Sequence, residues 1–260
     1  MVVKILDVTL REGIRKIKYF PHPDSISPIV AALSEAAIWG VDFGYPLGIG
    51  SQTATFPESL RTDREIAKAV VPHLGQLTWQ ALFDLKQGTL HQWEGVLGQG
   101  IKEGRIPLRL ENENKDLAAL RYTIRREPKI SCWAEVEMNV FQEDAKAVER
   151  WQDLGLVGFI LIEPEGESEK SASQVEAIIQ ESKIAFPDLK MGYKGKSLDS
   201  SWAAVTAGAD LLVSSLGGVG SLCPTERLAK KLQQEGLGQW DIELLEDLSE
   251  FMVRPLFAFT

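Results

Sequence analysis

Cysteine is nearly missing from this chain: Cys132 and Cys223 are the only two in 260 residues. They lie far apart with no C-x-x-C spacing, which excludes a disulfide framework and a zinc knuckle. Two small buried residues in a reducing compartment is the plain reading. Only three histidines occur, His22, His73 and His91, and all fall in segments read as loops or helices. No run approaches the roughly 20 apolar residues of a membrane span. No charged n-region with an apolar h-region opens the chain, so a cytoplasmic protein without membrane association is expected. Basic charge is in deficit, 28 Lys and Arg against 37 Asp and Glu, for a net charge of −9. Nucleic acid is therefore set aside as a partner, because phosphate backbones want a basic surface. A locally basic pocket for a small anion stays open. Linkers, low-complexity tracts and a G-x-G-x-x-G turn after the first strand are also missing.

What is present is alternation. Short apolar runs at Val2–Leu6, Val41–Tyr45, Leu77–Phe83, Pro107–Leu110, Ile130–Val136, Gly158–Ile162, Lys190–Tyr193 and Asp210–Ser214 read as strands. Helix-period stretches separate them: Ser27–Trp39, Asp63–Val71, Leu90–Gly100, Leu117–Arg126, Glu143–Leu154, Ser173–Ala185, Ser200–Ala207 and Thr225–Gln234. A last helix is expected over Ile242–Phe251, ending before Pro255. Such alternation implies parallel strands with helical crossovers. Eight units in 260 residues is the size of a (β/α)8 barrel rather than an open doubly wound sheet. The expected fold is α/β, a single (β/α)8 TIM barrel, with residues 1–260 as one domain.

Barrel chemistry belongs at the carboxyl ends of the strands, and those ends are polar here. The first brings Asp7, Thr9, Arg11 and Glu12, and the second brings Asp42. The fourth gives Arg109 and Glu111, the fifth Glu135, Glu137 and Asn139, and the sixth ends in Glu163. The seventh ends in Tyr193, Lys194 and Lys196, and the eighth runs into Ser215-Leu216-Gly217-Gly218-Val219-Gly220. Carboxylates crowded in a cleft need cations to stay ionised, and Arg11, Arg109, Lys194 and Lys196 supply them.

Ile5-Leu6-Asp7-Val8-Thr9-Leu10-Arg11-Glu12-Gly13 resembles the D-x-T-L-R-[DE]-G signature of the DRE-TIM metallolyases. That group includes 4-hydroxy-2-oxovalerate aldolase, isopropylmalate and homocitrate synthases and HMG-CoA lyase. The resemblance continues weakly through Pro46, Glu163-Pro164-Glu165-Gly166, Gly208-Ala209-Asp210 and the segment Ser215–Glu226, which keeps Leu216, Gly217, Pro224, Thr225 and Glu226. It implies a divalent cation, Mg or Mn, held by the strand-one acid, two histidines of an H-x-H on strand seven, and often a loop asparagine. Asp7 would be the one retained ligand. The histidine positions are Lys194 and Lys196, and the asparagine position is Leu222. A protonated lysine has no lone pair for a metal, so no metal and no other cofactor are expected.

The resemblance implies carbon–carbon bond formation or cleavage on a small 2-oxo acid, pyruvate being the simplest, through an enolate. Arg11 is expected at the substrate oxygen, with Lys194 and Lys196 as charge stabilisers and Asp7 positioning them. Glu12 is an orienting acid. Thr9, Asp42, Arg109, Glu163, Tyr193, Gly217 and Gly218 are candidates for substrate binding. Tyr19 or Glu163 is left for proton transfer; a phenol with its pKa near 10 would need cationic help. One lysine as a plain salt-bridge partner of Asp7 and Glu163 is the structural alternative. Glycines in the loop after strand eight are a weak signal for a phosphate or coenzyme A tail. Trp79 and Trp133 are candidates to line the pocket, with core packing the default. A Schiff-base lysine aldolase and a non-catalytic barrel binding an anion or a protein partner are the competing readings. A homodimer is expected from the family alone.

Overall fold

The computed structural model describes residues 3–17, 21–51, 61–143, 145–152, 154–164 and 169–257. Eight parallel strands close into a barrel in sequence order, the last pairing back on the first. They are β1 (Lys4–Asp7), β2 (Gly40–Val41), β3 (Thr78–Leu82), β4 (Glu103–Pro107), β5 (Ser131–Glu137), β6 (Gly158–Ile162), β7 (Lys190–Lys194) and β8 (Leu211–Ser214). This is the (β/α)8 fold read from the alternation. No helix among the described residues is long and apolar enough to cross a membrane.

Strand composition explains the layering. The strands are buried along almost their whole length, as parallel strands covered by helices must be. A large apolar core lies between strands and helices. A second group joins Leu6, Val8, Trp133, Ile160, Leu211, Val213 and Leu222. Its members come from β1, β5, β6 and β8 and their ends, on opposite sides of the closed sheet, so they fill the barrel itself. Side chains alternate faces along a strand, and this group therefore shows which residues point inward.

Several boundaries differ from the sequence reading. A helix, α1 (Thr9–Ile17), begins two residues after β1 ends, so Thr9, Arg11 and Glu12 stand on a helix rather than a strand end. The next helix, α2, runs over Pro23–Glu35 because Pro23 can open a helix and His22 caps it, Nδ1 accepting from the Asp24 amide at 3.2 Å. The fourth strand lies upstream of the expected Pro107–Leu110, which puts Arg105 in the sheet and Arg109 beyond it. The stretch Glu143–Leu154 divides into parts of two helices, Met138–Glu143 and Ala145–Gln152. Near the C-terminus Ile242–Leu248 passes through a π-helical turn, Ser249–Val253, into Arg254–Phe257. Pro255 thus lies inside the last helix, two residues past the π-helical turn.

Candidate active site

Arg105, the central residue of β4, is completely buried. It is registered with Trp133 across β4 and β5, and Trp133 belongs to the interior group, so Arg105 points inward. Its Nη1 donates to Glu135 Oε1 at 2.6 Å, and its Nη2 is paired with Asp42 Oδ2. Asp42 Oδ2 also lies 3.4 Å from Arg11 Nε, and Arg11 Nη2 donates to Glu12 Oε1 at 2.8 Å. Glu12 Oε1 accepts from Lys194 Nζ at 3.0 Å. Lys194 is registered with Val213, another interior residue, and so faces the mouth.

The result is a ladder of alternating charge, Glu135–Arg105–Asp42–Arg11–Glu12–Lys194, across strands that are distant in sequence. Alternation keeps the ions tolerable in a dry site, since buried charges persist only when paired. The Lys194 and Arg11 charges hold the Glu12 carboxyl down to about 2 against the desolvation that would raise it. Arg105 likewise keeps Glu135 below the usual carboxylate range, while burial pushes Asp42 up. Arg11 Nε and Arg105 Nε make no hydrogen bond within the described structure, although both are buried.

Asp7 is not part of this ladder. Its neighbours Leu6 and Val8 face the interior, so strand alternation turns Asp7 outward. Oδ1 accepts from the Thr9 amide at 3.0 Å and Oδ2 from the Thr225 hydroxyl at 2.7 Å. Thr225 in turn meets Ser214 at 2.8 Å, and Thr9 Oγ1 accepts from the Leu216 amide at 2.6 Å. These bonds tie β1 to the start of the helix Thr225–Gln234, and burial raises the Asp7 carboxyl to about 6. The carboxylate that faces Lys194 is therefore Glu12, and the expectation that Asp7 positions the lysines is corrected.

Tyr193 and Glu163 form a second, smaller cluster. The Tyr193 hydroxyl donates to Glu163 Oε1 at 2.7 Å, and Lys196 Nζ lies 3.6 Å from Glu163 Oε2. Burial and this acceptor push the phenol well above its ordinary range. Arg109 belongs with neither cluster: it makes bidentate contacts to Asp84 at 2.9 and 2.6 Å and further bonds to Asp116. Trp79 stacks on Phe43 with ring centroids 4.5 Å apart, and Trp133 Nε1 donates to Glu103 at 2.6 Å. Both tryptophans are core. Tyr19, Glu165 and Gly166 lie outside the described residues.

Beside the mouth lies a cavity of about 740 Å³, walled by α1, the loop after β8 and the C-terminal turns. Glu12, Lys196, Gly217 and Gly218 line it, so it adjoins both clusters. Gly220 in its wall has φ +72°, and a Cβ there would stand 2.8 Å from Glu12 Cβ. Glycine is needed because the loop rests against the Glu12 side chain.

A (β/α)8 barrel with a charged cluster at the C-terminal face is the class that fold and site define. No family model matches the chain. It is 23% identical to 4-hydroxy-2-oxovalerate aldolase of Thermus thermophilus over 272 residues, covering 98% of this chain and 76% of the relative. Among solved structures, the N-terminal domain of a candidate aldolase from Bacteroides vulgatus superposes with TM-score 0.81 at 17% identity, covering 99% and 88% of the two chains. The carboxyl transferase domain of Rhizobium etli pyruvate carboxylase, solved with pyruvate, gives TM-score 0.78 at 15% identity and covers 99% and 48%. These likenesses support the DRE-TIM resemblance and an enzyme of the aldolase or lyase kind.

Proposed function

We propose that this chain, residues 1–260 acting as one unit, makes or breaks a carbon–carbon bond of a small 2-oxo acid through its enolate, without a bound divalent metal. The observation that carries the proposal is the convergence of Arg11 and Lys194 on one oxygen of Glu12, at 2.8 and 3.0 Å. Two cations fixed beside a buried acid can donate to a substrate carbonyl oxygen and stabilise it as it becomes an enolate. The similar enzyme from Thermus acts, by its name, on 4-hydroxy-2-oxovalerate, and the barrel from Rhizobium etli was solved with pyruvate.

The residues at the family's metal positions do not fit a divalent cation. Asp7 turns away with both oxygens hydrogen-bonded, and Leu222 has no donor atom. Lys194 and Lys196 bring ammonium groups held in ion pairs with Glu12 and Glu163. Among the described residues no three His, Cys, Asp or Glu side chains cluster to hold a metal ion. The positive charge that polarises the carbonyl is assigned instead to Arg11 and Lys194. Glu12, at about 2, is too weak a base for the substrate proton, and its part is to hold the two cations in place. Removal and return of the proton at the carbon beside the carbonyl is assigned to Glu163, whose Oε1 accepts from Tyr193 and whose Oε2 faces Lys196 Nζ at 3.6 Å. The enolate carbon then attacks a second carbonyl; the reverse order cleaves the bond.

Deuterium uptake into pyruvate and other 2-oxo acids, followed by NMR in deuterated buffer with EDTA, tests this. Exchange should survive EDTA and fall by roughly 100-fold or more in Arg11→Ala and in Lys194→Ala, as when an oxyanion donor is removed. Exchange that appears only with added Mg or Mn would sink the metal-free reading. Borohydride inactivation with substrate bound to Lys194 or Lys196 would replace it with a Schiff-base mechanism. Binding of 2-oxo acids with no exchange in any of them would favour a non-catalytic barrel.

A further inference from the structure

The lining of the cavity beside the mouth is richer in basic than in acidic side chains, against the balance of the molecule. The chain carries a net −9, yet the cavity is lined by Arg15, Lys16, Lys196 and Arg254 against one acid, Glu12. Glu12 is already spoken for by Arg11 and Lys194. Two of the four cations also have acidic partners, Lys196 with Glu163 at 3.6 Å and Arg254 with Glu250 at 2.8 Å, and Glu226 accepts from the Gly217 amide at 3.1 Å. The four cations come from three separate places in the chain: α1, the end of β7 and the C-terminal helix. Such convergence is not the product of one solvated helix face.

The wall opposite α1 is strained. Gly217, Gly218 and Gly220 have φ of +62°, +71° and +72°, and Ser221 follows at +60° although it has a side chain. Left-handed backbone at a non-glycine residue costs of order 1 kcal/mol and gathers at ligand clamps. Ser221 and Ser249 add hydroxyls to the lining. A π-helical turn, a feature frequent at functional sites, supplies Ser249 and Val253 to the same wall.

We propose that this cavity binds the phosphate monoester end of the second reactant, so that the partner of the 2-oxo acid is a small phosphorylated carbonyl compound. This rests on the aldolase reading above and deepens it. A single carboxylate would need one cation; two guanidinium and two ammonium groups with hydroxyl donors suit a dianion with several acceptor oxygens. A volume of about 740 Å³ accommodates a small phosphorylated molecule. Glu12 lines the cavity and also accepts from Lys194, which places the far end of such a molecule next to Lys194.

Calorimetric titration of the full chain with inorganic phosphate in low-salt buffer, with succinate in a parallel arm, reads the site without any turnover. Phosphate should bind, and Arg15→Ala and Arg254→Ala should each weaken it by about tenfold, the value of one charge-assisted contact. Arg11→Ala, which abolishes exchange under the aldolase reading, should leave phosphate binding in place, so the two proposals fail separately. Absence of phosphate binding, binding unchanged in both cavity variants, or succinate binding as tightly as phosphate would each overturn the assignment.

Discussion

Glu12 is the residue on which both the mouth and the cavity depend, and its ionisation has a measurable signature. Its carboxyl lies near 4.5 when unfolded and at about 2 in the fold. A depressed acid contributes stability that is present above the unfolded value and is lost as pH falls through the folded one. The window is therefore about pH 4.5 down to 2, and the shift is worth roughly 3 kcal/mol. In Glu12→Gln, urea midpoints measured across that window should lose this part of their slope. Arg105 makes the opposite kind of prediction. Arg105→Leu leaves Asp42 and Glu135 buried without their shared cation, at a cost of about 3–5 kcal/mol. Denaturant unfolding near neutral pH checks it, and a loss below 1 kcal/mol would show that the ladder is not electrostatically coupled.

At the level of elements, β6 and β7 approach so closely that only a hydrogen fits between them at one point. A Cβ on Gly158 would stand 2.0 Å from the Lys190 carbonyl oxygen. Backbone cannot yield as a flexible side chain does, so Gly158→Ala should break the pairing that carries Lys194, and folding should fail by circular dichroism. A helix cap is a milder device. Ser171 caps Ala172–Ala185 by a reciprocal box with Gln174, and Ser171→Ala should cost about 1 kcal/mol in chemical unfolding. The contrast separates a residue the barrel cannot do without from one that only trims a helix end.

For the whole molecule, the closing contact is between the two ends of the described chain. Phe257 is buried, and a Cβ on Gly13 would stand 2.6 Å from its ring. The last helix is thereby packed flat on α1, which holds Arg254 at the cavity beside Arg15 and Lys16. Phe257→Ala should destabilise by about 3–5 kcal/mol, as large-to-small changes in a core do. Because it loosens the cavity wall, it should also weaken phosphate binding while Arg11 and Lys194 stay in place. Calorimetry and thermal unfolding of the same variant separate those effects.

The alternation of short apolar runs with helix-period segments was enough to determine a (β/α)8 barrel, because parallel strands need crossovers and helices need cover. The strand-end reading named Arg11, Glu12, Lys194 and Lys196 as site candidates. Three things were decided only by the tertiary structure. Strands buried on both faces hide their parity, so Asp7 was read as the partner of the lysines until the interior group of Leu6, Val8 and Val213 turned it outward, and Glu12, carried on α1, is the acid that meets Lys194. Apolar runs too short to mark their own ends let β4 be read late, which favoured Arg109 over the buried Arg105. The basic cavity joins residues 15, 196 and 254, and no local pattern records a contact made by closing the chain on itself.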